Sequence, residues 1–318
     1  MVEGNVSDLT ASEAVPYASV YISGTTYGAV TNEKGFFRIS KIPADQFDLV
    51  VSVIGYKPQT VKVEMKNLSI KQIDFKLERI TLEFRQMDVS GEKPNEWLDQ
   101  LELFKKLLFG QNMFAQYCTI TNPQFVNFME NKNKITAECP VPLKIRNDAL
   151  GYMLECVLKY FEYNKISGSL TYSVFPKFDD IKTNDKDSLE NIIYKRKLAF
   201  KGSSAHLLAS LVSGEYKFRD EGFELKKNSL VVNKANEIVF YDTLSQKYYL
   251  RFDGCIRIQY WAAGKRTYST LCLNYGSTQF SPAGYLIYPG EFRMEGDMAK
   301  EGIATMLPRF IDIKDEEK

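Results

Sequence analysis

The chain has one histidine, His206, among its 318 residues. A catalytic zinc normally takes three protein ligands, most often two or three of them histidines, and a structural zinc takes a cysteine cluster. Neither set is present, so the expectation is a protein without a metal or cofactor. The five cysteines (Cys118, Cys139, Cys156, Cys255 and Cys272) contain no Cys-x-x-Cys. That removes a zinc knuckle and a thioredoxin-type redox centre. Neither a Gly-x-x-x-x-Gly-Lys-Ser/Thr loop nor a Gly-x-Gly-x-x-Gly fingerprint occurs, so a nucleotide site has no warrant.

Charge of one sign is lacking too. Lys and Arg number 41 against 40 Asp and Glu, which leaves no field to steer the protein toward nucleic acid or anionic lipid. Apolar runs such as residues 47–54 fall well short of the roughly 20 residues that span a bilayer. The segment after Met1 has neither a basic n-region nor an apolar h-region. The chain is therefore read either as cytosolic or as a sequence from which an export signal has been removed.

What is present is β-forming. Aromatic residues make up 13%, mostly 19 Tyr and 21 Phe, and such residues suit pleated, half-buried surfaces. Up to about residue 80 the sequence runs as short alternating segments between turn residues: "VEGNVSD", "YASVYIS", "TYGAVT", "FFRIS", "FDLVVSVIG", "TVKVEM" and "IKQIDFKLE". These are seven strands at the spacing of a small β-sandwich. Pro16, Pro43 and Pro58 fall between them, where a missing N–H harms no central ladder. In "GAVTNEKGFFRI", Asn32 and Gly35 take the first and fourth places of a type I turn. Asn32 and Glu33 fall short of the six to eight oxygens calcium needs, so this loop is read as a turn and not a site.

A polar stretch at 89–96 reads as a linker between a domain at 1–88 and a second at 97–318. In the latter, "NEWLDQLELFKKLLFG" places Trp97, Leu101, Phe104 and Leu108 on one helical face, with Asn95 as N-cap and Gly110 as stop. "GYMLECVLKYFEYN" alternates through Tyr152, Leu154, Cys156, Leu158 and Tyr160, and is assigned to a strand paired with "ISGSLTYSVF". "SLENIIYKRKLAF" and "SSAHLLASLVSGEY" read as helices, the second capped near Ser203. "EIVFYDTL", "KYYLRF" and a hairpin return to β structure, "GDMAKEGIATMLP" reads as a short final helix, and the tail after Asp312 as disorder.

The hairpin "CIRIQYWAAGKRTYSTLC" fixes its own register. With Ala263-Gly264 as the turn, Ala262 faces Lys265, Trp261 faces Arg266, and Cys255 faces Cys272 at a non-hydrogen-bonded position. A cross-strand disulfide follows as an expectation, with two reduced thiols as its alternative. Tyr260 shares a face with Ile256 and Ile258. Trp261, Tyr268 and Arg257 share the other, which suits either a ligand-binding face or a second packing layer.

Catalytic constellations are thin. Ser203 lies three residues before His206, but a helix-capping role explains it and nothing local supplies an orienting acid. Asp179, Asp180, Asp185 and Asp187 lie in "KFDDIKTNDKDS", whose composition is that of a solvated loop. Asn5-Val6-Ser7 and Asn67-Leu68-Ser69 match the short glycosylation acceptor pattern.

In order, Gly4-x-Val6-x-Asp8, Pro16-x-Ala18-x-Val20, Gly24-Thr25-x-x-Gly28, Thr31-Asn32-x-x-Gly35-x-Phe37 and Ile54-Gly55-Tyr56 resemble the carboxypeptidase-regulatory-like domain. That family is a transthyretin-like β-sandwich, and the resemblance covers about residues 2–80. It implies a non-catalytic accessory or docking module, of a kind that accompanies metallocarboxypeptidases and fronts envelope proteins of Gram-negative bacteria. "TITNPQFVNF", "LKIRNDALGY" and "FKGSSAHLLASL" resemble the segment that follows this module in envelope proteins.

The resulting expectation is a mainly β, α+β protein: a seven-stranded sandwich plus a larger β-rich domain with a few helices. It would be exported, periplasmic or outer-membrane associated, without enzymatic activity, and would bind another envelope protein or a glycan. The alternatives are a hydrolase whose carboxylates converge in the second domain, and a structural component of an envelope assembly. No nucleic acid partner and no transmembrane segment are expected.

Overall fold

The structure, a computed structural model, describes residues 1–42, 46–65, 70–80, 95–262, 264–287 and 291–309. Pro43, the triplet Asn67-Leu68-Ser69, residues 89–94 of the linker expected at 89–96, Ala263 of the hairpin turn and the tail after Asp312 lie outside the described residues, and residues 95–96 open a helix instead. Two compact units are present: Met1–Leu108 with Gln116–Asn184, and Phe109–Ala115 with Asp185–Lys318.

The first unit begins with a sandwich. Its strands are β1 (Val2–Asp8), β2 (Ser19–Ile22), β3 (Gly28–Val30), β4 (Phe36–Ile39), β5 (Gln46–Ser52), β6 (Gln59–Glu64), β7 (Lys71–Gln72) and β8 (Phe75–Leu77). One sheet runs β4-β1-β7 with β8 also on β1, and the other runs β3-β2-β5-β6. The expected seventh strand is split into β7 and β8, because Asp74 leaves the ladder to accept the Asn5 N–H at 2.8 Å. Alternate residues of both sheets, among them Val2, Val6, Phe37, Leu49 and Val51, close a shared core.

The motif residues between these strands hold turns. Asn32 Oδ1 accepts from Lys34 and Phe36 N–H at 2.9 and 3.0 Å, as an Asn-led turn requires. Gly35 sits at φ 71° with a would-be Cβ only 2.4 Å from the Val6 carbonyl, so no side chain fits there. Buried Thr31 bridges two loops, its hydroxyl donating to Val15 O and accepting from Ala18 N. Asp8 closes the sandwich end by accepting from Thr10 N, Ala11 N, Tyr56 OH and the Arg79 guanidinium.

Helix α1 (Asn95–Phe109) follows, and Leu101, Phe104 and Leu108 on its expected face are buried. Phe104 packs edge-on against Phe128 and Phe161, and Trp97 Nε1 donates to Val126 O at 3.0 Å. The helix thus lies on a six-stranded sheet of β9 (Cys118–Ile120), β10 (Asn127–Asn131), β11 (Lys134–Glu138), β12 (Leu143–Asn147), β13 (Tyr152–Asn164) and β14 (Leu170–Asp180). The sheet is organised by β13, whose 13 residues pair with β12 and β11 on one edge and β14 on the other. A register shift between Leu158 and Tyr160 turns the chain over, so that Phe161 is buried and Tyr160, expected on the inner face, is exposed. The stretch expected as a solvated acidic loop is mostly ordered: Asp179 and Asp180 end β14, and Asp185 caps the following helix. The sandwich and this sheet join where Gly24 and Thr25 add to the outer edge of β14. Gly24 N–H donates to Pro176 O, Phe178 N–H to Thr25 O, and Tyr21 OH to Phe175 O.

The second unit holds α2 (Lys186–Phe200), α3 (Ser204–Val212) and α4 (Lys217–Asp220). Its strands are β15 (Phe223–Lys227), β16 (Leu230–Val231), β17 (Val239–Asp242), β18 (Lys247–Arg251), β19 (Cys255–Ala262), β20 (Lys265–Leu273), β21 (Ser277–Phe280) and β22 (Phe292–Gly296). One sheet is β16-β15-β19-β20-β22 and the other β17-β18-β21, and α3 shares a core with both. The expected final helix is two 3-10 turns, Met298–Lys300 and Ile303–Thr305, interrupted at Gly302 with φ 59°.

Hydrogen bonds from Ala11 N–H, Arg79, Thr10 N–H and Tyr56 hold the Asp8 carboxyl well below its ordinary value of 3.8. The stabilisation they give is present above that value and is lost as pH falls below it. Asp8→Asn is therefore expected to lower the melting temperature at pH 7 and to narrow the gap from wild type as pH drops below 3.8, followed by circular dichroism.

Candidate functional site

The period-two alternation of β19 and β20 sorts their residues. Ile256, Ile258 and Tyr260 point into the core, so Arg257, Gln259 and Trp261 point away from it, with Arg266, Tyr268 and Thr270 beside them. Trp261 is 66% exposed and Tyr268 51% exposed. Between them lies Arg266, whose guanidinium carbon is 5.3 Å from each ring centroid. This Trp–Arg–Tyr ladder brings together two of the three residues singled out in the sequence. The cation that stacks is Arg266 and not Arg257, which lies farther along the same face opposite Thr270. The hairpin register set Arg266 opposite Trp261, but only the folded side chains show that its guanidinium stacks there.

The far end of this face carries the cysteine pair. Cys255 stands opposite Cys272, their Cα atoms 4.0 Å apart and their sulfurs at 2.04 Å, as a disulfide. Ion pairs lie on the neighbouring strands of this face: Lys226 with Glu224 at 2.6 Å on β15, and Arg293 with Glu295 at 3.0 Å on β22. Aromatic surface is thus concentrated at the turn end of the hairpin, where two large rings stay in water without a covering layer among the described residues.

Ser203 and His206 do not form a nucleophile–base pair. Ser203 Oγ accepts the His206 backbone N–H at 3.1 Å, which is helix capping. The imidazole has both nitrogens engaged: Nδ1 accepts Gly202 N–H at 3.1 Å, and Nε2 faces Glu221 at 3.3 Å. Rings of Phe200, Phe223 and Tyr260 enclose it, and burial lowers its pKa despite Glu221. Among the described residues, no group of three or more His, Cys, Asp or Glu is placed to hold a metal ion.

A second feature carries no local sequence signal. The second unit holds a cavity of about 310 Å³ between the start of α3, the turn around Gly284 and the two C-terminal 3-10 turns. Most of its wall is apolar, with Phe200, Leu208, Met294 and Met306 among the lining residues, and Glu301 is its one carboxylate among those described. Glu301 accepts from Ser204 N–H and Ser204 Oγ, each at 3.1 Å. Burial raises its carboxyl from 4.5 to about 7, against the lowering effect of those two bonds.

Close packing fixes the backbone that carries that carboxyl. A Cβ on Gly302 would lie 2.4 Å from the Phe109 carbonyl group, and Asn112 Nδ2 donates to Phe109 O and Glu301 O at 2.9 and 2.7 Å. On the other side Met298 N–H donates to Ser269 Oγ and Tyr268 N–H to Asp297. The sequence hid the site because Glu301 reads as one more charged residue in an amphipathic turn.

Residues 2–89 match the family model of the CarboxypepD_reg-like domain, in agreement with the resemblance seen in their motifs. Comparison with curated proteins yields no match. Among solved structures, a type II cohesin–X-dockerin complex of Acetivibrio cellulolyticus is 18% identical over 35% of this chain and 74% of its own, at a TM-score of 0.21. A candidate carbohydrate-binding protein of Bacteroides uniformis is 11% identical over 84% of this chain and 94% of its own, at 0.21. A candidate membrane-associated protein of Bacteroides fragilis is 10% identical over 93% and 92%, also at 0.21. Likeness at that level carries no information on function. No helix among the described residues is long and apolar enough to cross a membrane.

Burial raises the thiols of Cys118 and Cys139 to about 12 and that of Cys156 further. Since the thiolate is the reactive form, iodoacetamide at pH 8 should leave all three unmodified in the folded protein. Denatured without reductant, three thiols should react, and after reduction all five. Five reactive thiols without reductant would remove the bridge.

The Glu301 shift has the opposite sign to that of Asp8. Its folded value lies above its unfolded one, so its contribution is full below 4.5 and is lost as pH rises to about 7. Glu301→Gln keeps the shape and both Ser204 contacts. It should be more stable than wild type by up to about 3 kcal/mol above pH 7 and indistinguishable from it near pH 4, as measured by urea denaturation.

Proposed function

We propose that the protein is a non-catalytic, exported cell-envelope binding protein. Its carboxypeptidase-regulatory-like sandwich serves as an accessory or docking module, and its second unit contacts another envelope protein or a glycan. The observation that carries this reading is the exposed Trp261–Arg266–Tyr268 ladder on a sheet face tied at its other end by Cys255–Cys272. Trp, Tyr and Arg are the side chains most enriched where binding energy concentrates. A ring held by a stacked guanidinium is ordered before contact, which lowers the entropy lost on binding. Flat aromatic faces also suit the apolar faces of sugar rings, so both partner classes remain within the reading.

The competing hydrolase reading needs two carboxylates about 5–10 Å apart in one cleft. The described lining of the cavity supplies Glu301 alone, which favours binding over hydrolysis.

The test compares wild type with Trp261→Ala/Tyr268→Ala on outer-membrane fractions and on arrays of envelope glycans. Both residues are exposed, so the double variant should fold normally and lose at least about tenfold in affinity. Undiminished binding by the double variant, or turnover of a glycan, would overturn the proposal.

A further inference from the structure

We infer that the cavity at the start of α3 is a binding site for a small primary amine, with the ammonium held by Glu301 and an aliphatic or aromatic body lodged against Phe200, Leu208, Met294 and Met306. This site is separate from the Trp261–Arg266–Tyr268 face and does not rest on it.

Three observations carry the assignment. The volume, about 310 Å³, lies at the lower end of the range for small-molecule sites, which are mostly apolar with few polar groups to orient a ligand. Next, the backbone that carries the carboxyl is held by the Gly302, Asn112 and Ser269 contacts and the carboxyl itself by Ser204, and a pre-positioned polar group distinguishes a site from a crevice. Finally, the polar partners of Glu301 are the neutral Ser204 N–H and hydroxyl, one to each oxygen. An ionised carboxylate has about four acceptor positions, and no Lys, Arg or His among the described residues forms an ion pair with it. A buried carboxylate without a cation is costly. An ammonium group supplies both the charge and the missing donors.

The ionisable groups sharing the wall are Tyr285 and Arg309, with Lys265 acting at longer range. Arg309 stacks on the Tyr285 ring at 5.1 Å, and burial raises the Tyr285 hydroxyl to about 12, so it stays neutral. Arg309 makes the opposite preference, a carboxylate ligand, the direct rival. The rigid, desolvated acceptor is Glu301, and that decides for the amine.

Calorimetry with the full chain and three probes of equal length separates these outcomes: n-hexylamine, 1-hexanol and hexanoate. Hexylamine should bind wild type at least about tenfold more tightly than hexanol, and Glu301→Gln should erase that difference. Met306→Trp, which fills the cavity while leaving Glu301 in place, should abolish binding of both. With the carboxyl ionising near 7, hexylamine affinity should rise about tenfold from pH 6 to pH 8 in wild type and stay flat in Glu301→Gln. Absence of hexylamine binding, equal binding by Glu301→Gln, or tighter binding of hexanoate would each overturn the assignment.

Discussion

Burial of Tyr260 is the constraint on which both sites of the second unit depend. Its ring lies almost wholly inside the core, against Phe223, His206 and the backbone of Gly202. A Cβ on Gly202 would lie 2.6 Å from that ring, so the turn between α2 and α3 sits directly on it. Tyr260 therefore sets where α3 begins and where Ser204 presents its N–H and hydroxyl. The same side chain fixes the opposite face. With Tyr260 inward, its neighbour Trp261 is outward, and the hairpin register sets Arg266 and Tyr268 beside it. A register slip of one residue would exchange the apolar layer for the ladder and lose both arrangements together.

The sandwich shows a different economy. The residues that make its sequence recognisable hold turns, bridge loops or make room for backbone. Asp8, Thr31, Asn32 and Gly35 each have a hydrogen-bonding or steric task inside the module. Edge pairing through Gly24 and Thr25 on β14 then shows how such a module joins a neighbouring sheet: a free strand edge offers donors and acceptors in register, and Pro176 contributes only its carbonyl.

Where local rules act on contiguous residues, the sequence was legible. The β19–β20 register, the face of α1, the Ser203 cap and the turn at Asn32 all followed from spacing and side-chain chemistry. The errors arose where a non-local contact altered the count. An irregularity in β13 moved the buried position from Tyr160 to Phe161. Asp74 left the last sandwich strand to bond Asn5. Gly302, locked against Phe109, broke an apparent helix into two 3-10 turns.

By itself the sequence determined the module at about residues 2–80, the β-rich class, and the sorting of Trp261 and Tyr268 away from the core. Each depends on periodicity or on motifs a few residues long. Tertiary structure alone decided that Arg266 rather than Arg257 completes the ladder, and that Glu301 faces a cavity instead of solvent. Desolvation is the reason for the second: it is set by atoms from segments distant along the chain, here 199–208, 284–286 and 292–309, and no local pattern records their convergence.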